Sequence, residues 1–317
     1  MSVIEVGDNR YGKEAIRLVR LIRGAERHAI RDLTVSIALE GDFDASYTDG
    51  DNGLVIATDT MKNTVYAFAA DGLDDLDGVG GSIEAFGRRL AEHFASSDQV
   101  DRATVRLREH RWGPIETEDG PATDAFARDG SWTRIATVSA GGDSTAGGDS
   151  TAGGDSTAGG GLTAGGDSTA GGGSITVEAG IEDLAVMKTA KSSFAGFPRD
   201  DYTTLAETGD RIMATQVSAR WRYRSPDIDH DAVFETVRRT LLEVFAEHDS
   251  PSVQASIWIV GRAILERHAE LAEITLTMPN LHHWAVDLRP FGLENRGEVF
   301  VPTREPYGLI EATVRRG

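Results

Sequence analysis

The stretch "DAVFETVRRTLLEVFAEHDSPSVQASIWIVGRAILERH", Asp231 to His268, decides the fold. Val233, Val237, Leu241 and Val244 recur at helical spacing, and Val253, Ile257, Val260 and Ile264 repeat that spacing after a short break. Beyond it, Ile274, Leu276 and Met278 alternate with Thr275 and Thr277, which is the period of a half-buried strand. The same plan stands earlier in the chain. Helices are expected over Thr60–Ala70 and Ser82–Phe94, the latter with Ile83, Phe86, Leu90 and Phe94 on one face. Strands are expected over Ala15–Ile22, Ala29–Leu39, Ala103–Trp112, Trp132–Ser139, Ile175–Lys188, Arg211–Tyr223, Glu273–Met278, His282–Leu288 and Gly308–Val314. Strands around a helix pair therefore occur twice. That predicts an α+β chain in two halves, residues 1–130 and 131–317, each an antiparallel sheet covered by helices on one face.

Between the halves' strands runs a Gly-rich segment, Gly141 to Gly173, in which "GGDSTA" recurs with a period of six. It has almost no apolar area to offset the entropy of ordering its glycines, so it is expected to be a solvated hairpin tip. Loop-closure cost rises slowly with length, and the fold can carry such an insert.

Composition narrows the function classes. The chain has 317 residues, a formal charge of −19 and no cysteine. Disulfides, thiolate metal sites and cysteine nucleophiles are excluded. An acidic surface argues against nucleic acid or an anionic membrane as partner. No run of about 18 apolar residues is present, and "MSVIEVGDNRYGK" lacks the apolar region of a signal peptide, so a cytoplasmic protein is expected. Only Lys13, Lys62, Lys188 and Lys191 are lysines among 32 basic residues. That bias resembles proteins of salt-loving archaea, whose acidic surfaces stay hydrated where salt screens like-charge repulsion.

The candidate chemistry gathers around "LVIATDTMKNTVYAF", Leu54 to Phe68, where an apolar run reading as a buried strand stops on Thr58-Asp59 and a helix pattern follows. Small oxygen-bearing side chains at a helix start serve as caps, and that is one reading of Thr58, Asp59 or Thr60. A second reading comes from resemblance. "SYTDGDNGLVIATDTMKNTVYAFA" resembles the corresponding segment of urate oxidase, the uricase family. "RYGK" at Arg10–Lys13, "GFPRDDYTTLAETGDRIMAT" at Gly196–Thr215, "SVQAS" at Ser252–Ser256, "PNLHH" at Pro279–His283 and "EPYGLIEATV" at Glu305–Val314 follow in that family's order.

The resemblance implies the tunnelling fold, in which two similar halves per chain assemble into a homotetramer whose sheets close into barrels, with active sites between subunits. It implies urate and dioxygen as partners and no cofactor or metal. Carried onto this chain, it implies Lys13, Thr58 and His282 as the proton-handling residues. Asp59, Phe194, Arg211, Val253, Gln254 and Asn280 would bind substrate alongside Thr58.

Each residue type suits the task. A guanidinium fork and a carboxamide hold a flat anion, so Arg211 and Gln254 fit the grip. Phe194 offers a stacking face. An ammonium, a hydroxyl and an imidazole can relay a proton, which fits Lys13, Thr58 and His282. Plainer readings stand beside these: Arg211 as a solvated edge residue, Gln254 as a first-turn polar group, Phe194 as core, and His282 as structural with His283 its competitor. Two positions depart from the family, Ala195 and Gly209, where relatives often carry bulky aromatics. Other tunnelling-fold purine or pterin enzymes, which grip the ring with glutamate and often use zinc, form the alternative, as does a non-catalytic purine-binding scaffold.

Overall fold

A computed structural model describes residues 3–24, 27–73, 81–128, 130–142 and 174–317. Its centre is one antiparallel sheet of eight strands in the order β1-β2-β3-β6-β7-β8-β9-β12. The strands are β1 (Tyr11–Arg23), β2 (His28–Gly41), β3 (Val100–Glu109), β6 (Thr133–Gly141), β7 (Ser174–Lys188), β8 (Met213–Tyr223), β9 (Leu271–Thr277) and β12 (Glu311–Arg315). Four long helices pack on one face: α2 (Thr58–Gly72), α3 (Ile83–Ala95), α4 (His230–Glu247) and α5 (Val253–Arg267). A short helix, α1 (Asp44–Thr48), follows β2.

The pleat explains the layering. Leu33, Val35, Ile37 and Leu39 on β2 are fully buried, while Thr34, Ser36 and Ala38 between them are not. β3 repeats this with Ala103, Val105 and Leu107, and β8 with Val217, Ala219 and Trp221. Each fully buried aliphatic side chain contributes roughly 1.5–3 kcal/mol. The helix periods supply the facing layer: Ile83, Phe86, Leu90 and Phe94 on α3, and Val253, Ile257, Val260 and Ile264 on α5, are all buried. Close approach is needed at two matched points. A Cβ on Gly87 of α3 would lie 2.7 Å from Leu107 Cδ1, and one on Gly261 of α5 would lie 2.7 Å from Val314 Cγ2. Each helix pair thus seats one backbone directly on its sheet.

A buried ion triad joins the two pairs. Arg134 at the start of β6 donates to Glu84 on α3 at 2.7 Å and to Asp231 on α4 at 2.6 Å. Arg134 and Glu84 are almost wholly withdrawn from solvent.

Several expectations need correction. The helices over α+β halves are present, but the sheet is continuous, because β6 pairs with β7 along its length up to Gly141↔Ser174. The Gly-rich segment itself, from residue 143 to 173, lies outside the described residues. Leu54–Ala57 is not a strand: it is a loop entering α2, and Thr58-Asp59 opens a helix instead of ending a strand. The physical reason is one long-range contact. The Tyr11 hydroxyl serves both the N–H and the carbonyl of Ile56, so this backbone finds partners without a sheet ladder.

Arg211 precedes β8; its N–H donates to the Ser192 carbonyl at 2.8 Å. The strand expected through Trp112 ends at Glu109, and Trp112 instead begins a separate hairpin, β4 (Trp112–Thr117) with β5 (Gly120–Arg128). This hairpin is mostly exposed, so no apolar alternation marks it; Trp112 Nε1 anchors it by donating to Asp32 at 3.0 Å. His282–Leu288 contracts to β10 (His283–Ala285), which pairs only with β11 (Phe300–Pro302). Gly308–Val314 begins later, at Glu311.

Candidate active site

The nine candidate residues fall into two groups on the fold. The first lies at the β1 edge. Lys13 is on β1 opposite Ile37, immediately before a bulge in which Ala15 adopts φ 57° and donates its N–H to Ser36. Thr58 and Asp59 are the first two residues of α2. The N-cap there is Ala57, which offers no side-chain acceptor, whereas α3, α4 and α5 are capped by Ser82, Asp229 and Ser252. The expected capping role of Thr58, Asp59 or Thr60 is therefore not observed. Among the described residues no side chain caps the first turn of α2, and the partial positive charge of this helix start lies near Lys13, whose charge acts on Asp59.

Asp59 does not reach outward alone. Its carboxylate is bound by the Lys62 ammonium and accepts from Asn63 at 2.9 Å. The Lys62 hydrogen bond, with help from Lys13, holds this carboxyl below the usual range. What Asp59 can offer an anion is its backbone N–H. Thr58 is half-buried, and no described residue takes its hydroxyl.

The second group is knitted together around the start of β8. The Arg211 guanidinium lies 5.3 Å from the centroid of the Phe194 ring. Burial lowers the Arg211 pKa, and its Nε is enclosed without a partner among the described residues. Phe194 exchanges both backbone hydrogen bonds with Thr208, and its ring stacks on Phe197 with centroids 4.9 Å apart and planes at 14°. The neighbouring Ser193 N–H donates to the Ser250 carbonyl at 2.8 Å, which brings this segment to the head of α5. There Val253 is buried and Gln254 is exposed, one position into the helix that Ser252 caps. On the other side of β8, Leu281 N–H donates to the Ala214 carbonyl at 2.9 Å and Asn280 N–H to Gly308 at 2.8 Å. This seats Asn280 and His282 next to the Arg211 end of the strand. His282 is half-buried, with its ring 5.5 Å from that of Trp284. His283 turns its Nδ1 back to the Leu281 carbonyl at 3.2 Å.

The two groups do not meet within one chain. β1 and β8 are five strand steps apart in the sheet. At about 4.8 Å per step, Lys13 and Arg211 are separated by roughly 24 Å across the sheet.

Sequence reasoning passed over three residues here. Tyr11 and Phe197 both lie inside quoted motifs, yet no periodicity distinguishes them. Lys188, one of the four scarce lysines, proves to be a buried structural cation: its Nζ donates to the carbonyls of Phe245 and Ala246 at 2.8 and 3.0 Å, closing the end of α4. Among the described residues no cluster of three metal-ligating side chains occurs, and no helix is long and apolar enough to cross a membrane.

Comparison with known proteins gives the family of the chain. The uricase family profile matches residues 9–139 and 177–311. Uricase of Arthrobacter globiformis is 43% identical over 314 residues, covering 99% of this chain and 90% of the relative, and uricase of Dictyostelium discoideum is 34% identical over 313 residues, covering 98% and 96%. The crystal structure of the Arthrobacter globiformis uricase superposes with a TM-score of 0.84 at 42% identity, over 99% of this chain and 96% of that one. Family profile, full-length relatives and fold converge, and this chain belongs to the uricase family.

Proposed function

We propose that this chain oxidises urate with dioxygen and water to 5-hydroxyisourate and hydrogen peroxide, at sites shared between subunits of a homotetramer. The atoms balance: dioxygen takes two electrons and two protons to become peroxide, and water supplies the hydroxyl added to the ring. In this reading the electrons come from urate itself, with no cofactor or metal.

One observation carries the composite site: five strand steps, about 24 Å along the sheet, lie between β1, which carries Lys13, and β8, whose start follows Arg211. A purine is far smaller than that gap, so the groups can serve one substrate only if a second copy supplies one of them. The sheet supports this, since β1 and β12 are its edge strands and pair on one side each. Unpaired edges invite pairing with another copy and closure into a barrel.

Within the site, Arg211 and Gln254 grip the anion, Phe194 stacks on it, and the α2 start with Thr58 and the Asp59 amide faces it from the neighbour. Val253 shapes the floor and Asn280 holds dioxygen or the attacking water. Lys13, Thr58 and His282 pass the proton. In this reading the two halves meet between Gly141 and Ser174, because the strands of the eight-stranded sheet and the long helices run strand, strand, helix, helix, strand, strand in Tyr11–Gly141 and again in Ser174–Arg315. The −19 charge supports a salt-adapted cytoplasmic enzyme.

The test is to mix the purified protein with urate in molar potassium chloride and follow urate's ultraviolet absorbance together with peroxide. One peroxide per urate consumed is expected. Urate loss without peroxide would remove the reading.

A further inference from the structure

We propose that Tyr11 is a positioning residue that locks the Thr58 end of α2 to the strand carrying Lys13. This rests on the catalytic reading of Lys13 and Thr58 above. The phenol accepts the Ile56 N–H at 2.7 Å and donates to the Ile56 carbonyl at 3.2 Å. One hydroxyl thus satisfies both backbone groups of a residue 45 positions away, at the point where a loop becomes a helix. Tyr11 stands two residues before Lys13 on β1, and Ile56 two residues before Thr58. The clasp therefore ties the ammonium's strand to the loop that leads into the hydroxyl's helix, close to both residues.

Its surroundings are built for rigidity. The Tyr11 ring meets the buried Phe43 edge-on, with centroids 4.7 Å apart and planes at 87°. Burial raises the phenol's pKa, so the hydroxyl keeps the proton it donates. The helix it anchors has no side-chain cap to fix its first turn, unlike α3, α4 and α5. Without the clasp, the hydrogen bonds left to the loop over residues 52–57 are local ones, Val55 N–H to the Asn52 carbonyl at 3.1 Å and Gly53 N–H to Asp51 at 2.9 Å, with the Ile56 side chain packed on the core. A proton relay is sensitive to displacements of a fraction of an ångström, whereas the main grip on the purine, from Arg211, Gln254 and Phe194, lies on the opposite group and does not ride on α2.

Tyr11→Phe keeps the ring on Phe43 and removes only the hydroxyl. The expected result is a loss in kcat of about tenfold or more, with KM for urate changed less than about threefold. The pH profile of kcat should shift as well, because the geometry of the relay changes. Thermal unfolding of the same sample should stay close to the parent. Lys13→Met, measured in parallel, separates the two claims. Full turnover in Lys13→Met would sink the catalytic reading itself. An inactive Lys13→Met beside a Tyr11→Phe with parental kcat and pH profile would overturn the positioning role alone. Should Tyr11→Phe prove unstable, hydrogen exchange on the parent protein decides the matter: the Ile56 amide should be protected well beyond the Leu54 amide. Rapid exchange at Ile56 would overturn the clasp.

Discussion

The guanidinium of Arg211 lies against the face of Phe194, 5.3 Å from the ring centroid, half withdrawn from water and just ahead of β8. A partly desolvated cation beside an aromatic face is prepared for a flat anion, which can replace the lost water with a bidentate contact while its ring stacks. Arg211→Ala should raise KM for urate by more than about tenfold, with a smaller change in kcat. Arg211→Lys should recover little of it, since a point charge cannot reproduce the fork. Steady-state kinetics on both variants checks this; a large kcat loss at unchanged KM would contradict the grip.

The buried triad predicts an asymmetric response. Arg134→Met leaves the Glu84 carboxylate, which is fully buried, without its main counter-charge. Stability should fall by about 3–5 kcal/mol, as when one partner of a buried ion pair is removed. Adding Glu84→Leu should recover part of the loss. Guanidinium denaturation midpoints of the single and double variants, taken at constant salt, report the difference.

Stability should also drain at mildly acid pH through His230. Burial holds its imidazole at about 4, and the Arg134 charge acts in the same direction. The unfolded chain, with a free value near 6.5, binds that proton more readily. The contribution is therefore complete above pH 6.5 and lost as pH falls toward 4, up to about 3 kcal/mol. His230→Asn should flatten the fall of Tm across this window; an unchanged slope would show that other groups govern it.

Gly261 predicts a steric effect with a built-in rescue. Alanine there places a methyl 2.7 Å from Val314 Cγ2. Overpacking of this kind costs about 1–3 kcal/mol, more than the roughly 1 kcal/mol that alanine gains over glycine in a helix. Gly261→Ala should lower Tm, and Val314→Ala in the same chain should return part of it. A higher Tm in the single variant would contradict the close seating of α5.

The helices and the long strands were legible because periodicity reports burial directly: Leu241 and Ile264 stand on helical stripes, Leu276 on a strand alternation, and all three are buried. What escaped was structure held by side chains and not by pattern. The Leu54–Ala57 loop carries the apolar residues of a strand, yet its backbone bonds run to the Tyr11 phenol, a long-range contact that no local spacing encodes. The β4–β5 hairpin is exposed on both faces, so the alternation that marks a strand is missing. Among the candidate residues, Arg211, Phe194 and the α5 start do come together. The separation of Lys13 from Arg211 depends on strand order, which the sequence does not display.

The central claim is that the first-half group of one copy and the second-half group of another act on one urate. It is tested most directly by mixing two variants, the turnover-deficient Lys13→Met and the binding-deficient Arg211→Ala, under conditions that exchange subunits, with turnover read at urate near the parental KM, where each variant alone is slow. Each composite site then draws its ammonium and its guanidinium independently, so about one quarter of the sites should be intact and turnover should reappear at about a quarter of the parental rate. A mixture no more active than its two components, with exchange verified by mass, would contradict the account.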